Sequence, residues 1–241
     1  MPNSPVDAFR AAHHDRAPED PLVLPGPWDA GSAQAFRDAG FTALATPSAG
    51  VSASLGYEDG ELPFEDMFAA VARITRAVDV PVSADLEGGY GLKPEELVER
   101  ALAAGVVGCN LEDSHRGVLK DPRQHADWLA EVVAAADGAL VVNARVDTFI
   151  TGDTDPASAV ERARLYVAAG ADCVYPILAP HDALPDLRAG IDGPINAVSN
   201  VPGPAHAELG KLGATRITFG PMLHRRAMAA VKELGGEVLG G

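Results

Sequence analysis

The stretch VPVSADLEGGYGLKPEELVERALAAGVVGCNLED, residues 80–113, decides the fold. It opens on a short apolar run, Val80–Ala84, and closes on another, Val106–Leu111. Between them, Pro94–Ala104 reads as an amphipathic helix. Pro94 follows Lys93 at the position where a helix tolerates a residue without an N–H, and Gly105 supplies a left-handed stop. Two apolar strands joined by a helix of this length form a parallel βαβ unit.

The same unit repeats outward in both directions. Towards the N-terminus, Leu22–Leu24 and Phe41–Ala45 read as strands, followed by helices near Ala30–Ala39 and Pro63–Val78. Towards the C-terminus, the strands are Leu140–Ala144, Cys173–Ile177, Pro194–Val198 and Arg216–Phe219. The later helices fall near Pro122–Ala136, Pro156–Ala169, His181–Arg188, Ala205–Leu212 and Met222–Leu234. Glycine stops recur at Gly40, Gly170 and Gly213, and Asp29 is placed to cap the helix that begins at Ala30. Eight β/α units in 241 residues predict a single-domain (β/α)8 TIM barrel spanning 1–241, with 1–20 as a polar or helical N-terminal segment. A doubly wound sheet would present G-x-G-x-x-G after its first strand, and Leu24 is followed by Pro25-Gly26-Pro27-Trp28.

Composition narrows the function. Lys plus Arg is 19 against 34 for Asp plus Glu, a formal charge of −15 that repels phosphate backbones and anionic lipid. No nucleic-acid or membrane partner is expected, and no apolar run nears the roughly 18 residues of a transmembrane helix. The N-terminal residues lack the apolar segment of a secretory signal. Cys109 and Cys173 lie in separate apolar strands without a C-x-x-C pair, so they read as reduced, buried thiols of a cytoplasmic protein.

In such a barrel the active site lies at the C-terminal ends of the strands. The third strand delivers Asp85 and Glu87 there, and the fourth delivers Glu112. Two residues apart, Asp85 and Glu87 share a side if strand geometry continues. Three converging carboxylates repel one another unless a divalent cation sits among them, and an all-oxygen set suits Mg2+, with Mn2+ as a substitute. The competing reading is a solvated rim of structural salt bridges. The fifth strand delivers Arg145, suited to developing negative charge or to a salt bridge with Glu112.

These segments resemble the isocitrate lyase / phosphoenolpyruvate mutase superfamily. Asp85-Leu86-Glu87-Gly88-Gly89-Tyr90-Gly91 is similar to its D-x-[DE]-x-G-[YF]-G signature. Leu111-Glu112-Asp113 and Ala144-Arg145-Val146-Asp147 resemble its next two strand-end elements. Thr46-Pro47-Ser48-Ala49-Gly50-Val51, with Asp59 beyond it, is similar to its substrate-binding loop and the acidic residue that follows. Pro25-Gly26-Pro27-Trp28 looks like its first strand-to-helix turn, which adds Trp28 to the substrate-binding set.

The resemblance implies a Mg2+-dependent lyase that cleaves a C–C bond in a small 2-oxo or 2-hydroxy acid through a metal-stabilised enolate, oxaloacetate decarboxylation being one version. It implies metal ligation by Asp85, Glu87 and Glu112, some of it through water. It also implies carboxylate binding by the Ser48, Ala49 and Gly50 amides and the Ser48 hydroxyl, and catalytic roles for Arg145 and Asp59. A homo-oligomer is expected.

The departures matter as much. The lyases' K-[KR]-C-G-H gating loop is missing between Glu112 and Asp121, as is the mutases' Asn-containing loop. His115, Arg116 and Lys120 read there as a solvated basic cluster. Tyr175-Pro176-Ile177-Leu178 replaces the acid or His after the sixth strand, and the family's exchanged C-terminal helices look truncated. A P–C bond mutase or hydrolase and a non-catalytic 2-oxo acid binding barrel therefore stay open as alternatives. A glycosidase is disfavoured because Ile195-Asn196-Ala197-Val198 offers no acid.

Overall fold

Gly40, Gly105, Gly170 and Gly213 all adopt positive φ, ending their helices as the sequence predicts. The computed structural model describes residues 4–14 and 16–240; residues 1–3 and 15 of the expected N-terminal segment, and residue 241, lie outside it. Within that segment Pro5–Ala11 forms helix α1, capped by Ser4 and Asp7.

The strands are β1 (Leu22–Val23), β2 (Leu44–Thr46), β3 (Val82–Asp85), β4 (Gly108–Glu112), β5 (Ser114–His115), β6 (Val118–Leu119), β7 (Val141–Val146), β8 (Cys173–Pro176), β9 (Asn196–Val198) and β10 (Arg216–Thr218). The remaining helices are α2 (Ala30–Asp38), α3 (Ser48–Ser54), α4 (Phe64–Arg76), α5 (Pro94–Ala103), α6 (Pro122–Ala136), α7 (Pro156–Ala168), α8 (Leu184–Gly190), α9 (His206–Lys211) and α10 (Met222–Gly240).

All strands except β5 and β6 run parallel, in the orders β2-β3-β4-β7-β8 and β1-β10-β9. The two arcs join through a Val174–Ile195 bridge and an Ala45 N–H to Pro25 carbonyl bond of 3.1 Å. The eight parallel strands therefore form a closed (β/α)8 barrel, whose sheet has no free edge among the described residues.

Strand parity sorts the side chains. On β4, Cys109 and Leu111 join the main apolar core, whereas Asn110 and Glu112 alternate with them. On the helix side, α4 buries Met67, Phe68, Val71 and Ile74, each stabilising by roughly 1.5–3 kcal/mol. Helix α1 closes the N-terminal end of the barrel with Phe9 in a second apolar cluster beside Leu22, Leu24 and Val141. Gly108 makes room for it: a Cβ there would lie 3.1 Å from the Phe9 ring and 2.9 Å from the Val141 carbonyl oxygen.

Two local readings need correction. Residues 48–54 form helix α3 rather than an open loop. The chain after β4 folds as a tight antiparallel hairpin, β5–β6, turning at Arg116 and Gly117, both at positive φ. Lys120 at its base is no solvated cation: Nζ donates to the Glu112 carbonyl at 2.9 Å and lies over the Trp128 ring. His115 and Arg116 are exposed.

Candidate active site

Asp85 is the last residue of β3, beside Asn110 of β4. Strand geometry stops there. Glu87 follows in a turn with φ of 50°, a left-handed conformation that costs a non-glycine residue on the order of 1–3 kcal/mol. Glu87 thus reaches the rim through a strained turn, which corrects the expectation of simple alternation. Its N–H donates to Asp85 Oδ1 at 3.3 Å.

Asp85 Oδ2 accepts from the Ser48 hydroxyl at 3.0 Å and lies 3.4 Å from the Ser48 N–H. The first turn of α3 therefore faces an acid of this chain. Gly50 N–H is committed to the Pro47 carbonyl at 3.1 Å. A Cβ on Gly50 would meet Pro47 at 2.9 Å and approach Trp28 and His224, so this glycine serves close packing. Trp28 packs edge-on against Phe36 and His224. Of the expected site residues, Ser48, Ala49, Asp59, Asp85 and Arg145 line the cavity at the strand ends, whereas Trp28, Gly50, Glu87 and Glu112 do not.

That cavity measures about 680 Å3. Its lining includes the polar Ser48, Asp59, Asp85, Asn110, Arg145 and Arg225, beside Ala49, and the apolar Ile150, Ile177, Leu178, Phe219, Met222 and Met228. A more open groove of about 710 Å3 lies outside the barrel against α7 and α8, away from the strand ends.

Arg145, on β7, is paired with Glu112 in register on β4. Its Nη1 lies 2.7 Å from Glu112 Oε2, while Nε and Nη2 donate to Asp147 at 2.6 and 3.0 Å. Three of its five N–H groups are thereby engaged, and two stay available. Burial disfavours the cation, yet Asp147, with Asp85 and Glu112, holds its pKa above the ordinary value. Asp147 is fully buried and also accepts from Ser114 Oγ at 2.5 Å. The sequence reading assigned Asp147 no role; its place two residues after Arg145 is the signal that finds it.

Burial, then Asp85 and Asp59, pushes Glu87 up to about 7. Glu112 is pushed up to about 8 by burial, which Arg145 opposes and Asp85, Asp147 and Glu87 reinforce. Asp59 is also raised, by burial and then by Asp85. Among the described residues, Asp85, Glu87 and Glu112 do not close into a ready-made ligand cluster. The donor set nevertheless fits a hard dication. Every donor is oxygen, Glu87 Oε1 is buried with no partner, and the acids raise one another's pKa.

Asp113, next to Glu112, turns away from the rim. It accepts from Tyr166 at 2.6 Å, Arg162 at 2.9 Å and the Asp147 N–H at 2.8 Å. Asn196, on β9, donates to Thr218 Oγ1 at 2.9 Å and to the Ala197 carbonyl.

With this geometry established, comparison with known proteins gives the family. The family model described as phosphoenolpyruvate phosphomutase matches residues 9–239. An uncharacterised protein of Mycobacterium tuberculosis is 36% identical, over 92% of this chain and 85% of its own. The 2-methylisocitrate lyase of Escherichia coli K12 is 32% identical over 72% of this chain and 62% of its own. Among solved structures, a phosphonomutase candidate from Burkholderia cenocepacia J2315 superposes with a TM-score of 0.89 and 38% identity, covering 97% of this chain and 100% of its own. A 2,3-dimethylmalate lyase gives 0.85 and 26%, covering 98% and 87%. The chain belongs to the phosphoenolpyruvate mutase / isocitrate lyase superfamily, whose members are C–C lyases and P–C mutases or hydrolases.

Proposed function

We propose that this chain is a Mg2+-dependent lyase that cleaves a C–C bond in a small 2-oxo or 2-hydroxy acid. The observation that carries the reading is that Asp85, Arg145, Ser48 and Asp59 line one cavity at the barrel mouth. Asp85, with Glu87 and Glu112 around it, would hold the cation. When bound, Mg2+ supplies Lewis acidity to the enolate that C–C cleavage generates.

The protein's own groups do the rest. Arg145 directs its two remaining N–H groups at negative charge that develops on substrate oxygens. Glu112 and Asp147 hold the planar guanidinium in place, so little reorganisation accompanies reaction. Asp59 lines the same cavity, and burial raises its pKa, which suits a group that exchanges a proton with substrate or leaving group. The Ser48 hydroxyl orients Asp85 and stands where a substrate carboxylate would arrive. The apolar residues of the lining, Ile150, Ile177 and Phe219 among them, would limit water around the cleaving bond.

Two cations, Arg145 and Arg225, line the cavity, and Arg145 is already paired with two acids. That count favours a carboxylate over a phosphonate, whose extra charge calls for more cationic partners. Homo-oligomerisation belongs to the same reading, supported by the exposed Met228, Val231, Leu234 and Val238 of α10. No helix among the described residues is long and apolar enough to cross a membrane. The two buried free thiols fit a cytoplasmic setting.

The test is a Mg2+-supplemented panel of 2-oxo and 2-hydroxy diacids and phosphonates, following pyruvate or glyoxylate release, with Asp85→Ala as control. Turnover of a hydroxy or oxo diacid that the control lacks supports the reading. Turnover of phosphonates alone, or oxalate binding without any turnover, overturns it in favour of the P–C enzyme or the binding barrel.

A further inference from the structure

Beneath the cavity floor a chain of inward polar side chains crosses the barrel. Arg216 of β10 is fully buried and forms no ion pair among the described residues. Its Nη2 lies 3.2 Å from the side-chain oxygen of Asn110, and its Nη1 3.3 Å from His13 Nε2. A guanidinium only donates, so the Asn110 atom that faces it must be the carbonyl oxygen. This fixes an amide orientation that is otherwise ambiguous.

The same oxygen accepts from Asn143 Nδ2 at 2.8 Å. Asn143 Nδ2 also reaches Asn196 Oδ1 at 3.2 Å, and Asn196 Nδ2 in turn donates to Thr218 Oγ1. The direction of every bond along this row is thus set by one buried cation. Both acceptor positions of the Asn110 oxygen are filled from below. Its Nδ2 donates to no protein group among the described residues, and Asn110 lines the cavity beside Asp85.

We infer that Asn110 Nδ2 is a preset hydrogen-bond donor to an oxygen of the bound substrate, and that Arg216 is the positioning residue that aims it. The ligand class is a small carboxylate bearing an adjacent oxo or hydroxyl oxygen, so the inference rests on the function proposed above. An amide suits this place for a physical reason. It offers donors without adding a proton that Asp85 or Glu112 would take up, and without the repulsion that a further carboxylate would add. The buried positive charge of Arg216 below polarises the amide towards donation. Asn110 lies two residues before Glu112 on one strand, so both belong to the same inward series.

Oxalate with Mg2+ is the probe, and the side-chain amide signal of Asn110 in uniformly 15N-labelled protein is the readout. The missing signal in Asn110→Asp assigns it. On oxalate titration this amide should move with the same midpoint as the backbone amides of Ser48 and Ala49. Asn110→Asp keeps the shape and gives Arg216 a carboxylate to face, but turns the donor into an acceptor. It should weaken oxalate binding by about 10-fold or more in calorimetry.

Arg216→Met leaves the Asn110 oxygen with one donor. The amide then samples both orientations and its oxalate-induced shift shrinks, a change that loss of stability alone would not produce. Asn143→Ala removes the other donor and gives the same readout if Arg216→Met does not fold. Oxalate binding that moves the Ser48 backbone while the Asn110 amide stays still overturns this inference and leaves the lyase reading intact. Wild-type affinity in Asn110→Asp does the same. Failure of oxalate and every 2-oxo acid to bind the unaltered protein overturns both.

Discussion

At the N-terminal end of the barrel, Arg216 is buried among neutral partners: the Asn110 oxygen and the His13 imidazole. At the C-terminal end, Arg145 is held by two carboxylates, and surplus acids crowd around it. The lower end is sealed by Phe9 of α1 and by His13 just beyond that helix, and Arg216 Nε and Asn143 Oδ1 stay buried there without a partner. The upper end opens on the cavity lined by Asp85 and Arg145, and Glu87, whose N–H donates to Asp85, likewise leaves its buried Oε1 without a partner. The contrast teaches that unpaired charge is tolerated below because it organises a network, and above because something from outside completes it.

The sharpest break of that comparison is Asp85→Ala. If the upper end awaits a cation and a carboxylate, turnover should fall by at least about 10³-fold, with the fold retained. Unchanged kcat/KM would remove Asp85 from the site. The counterpart below is Phe9→Ala, which empties the plug over Gly108. It should cost about 3–5 kcal/mol of stability in denaturant titration while leaving kcat near its original value. A large loss of kcat with little loss of stability would show that the lower end is no mere seal.

Asp147→Asn tests whether Arg145 must be gripped from behind. The amide would present one acceptor in place of two, and activity should drop about 10–100-fold, read as kcat rather than KM. An effect confined to Tm would make Asp147 structural only.

The two ends should also differ in pH response. Glu87 and Glu112 are raised to about 7 and about 8, so from about pH 4.5 upward the folded protein holds protons that the unfolded chain has lost. Metal-free stability therefore falls as pH rises through that window. His13 is lowered to about 3 by burial and then by Arg216, so stability is lost instead as pH drops below 6.5. In thermal melts from pH 4 to 8.5, Glu112→Gln should flatten the alkaline limb and His13→Gln the acid limb, each by roughly 2–4 °C. Mg2+ should raise Tm most at the alkaline side. Identical limbs in all three proteins would refute the contrast between the ends.

Much of the upper end was legible because it is local. Asp85, Glu112 and Arg145 sit at strand ends, and strand ends follow from apolar runs and glycine stops such as Gly105. What parity alone gave was less certain. Glu112 and Asp113 are neighbours in sequence, yet one joins Arg145 at the rim and the other is enclosed by Arg162 and Tyr166. Glu87 reaches the site through a left-handed turn that no alternation rule provides. Trp28 and Gly50 look like site residues by motif, yet Gly50 of α3 faces Pro47, His224 and Trp28 in close packing.

By itself, the order of residues determined the eightfold β/α repeat, its helix starts and stops, and which strand ends carry acids and the arginine. Those depend on interactions within a turn or a few residues, where spacing fixes geometry. Only the closed barrel decided that Asn110, Asn143, Asn196 and Arg216 meet, from strands as much as 106 residues apart. Their hydrogen bonds run between strands across the barrel interior, and no local rule specifies a partner that distant in the chain.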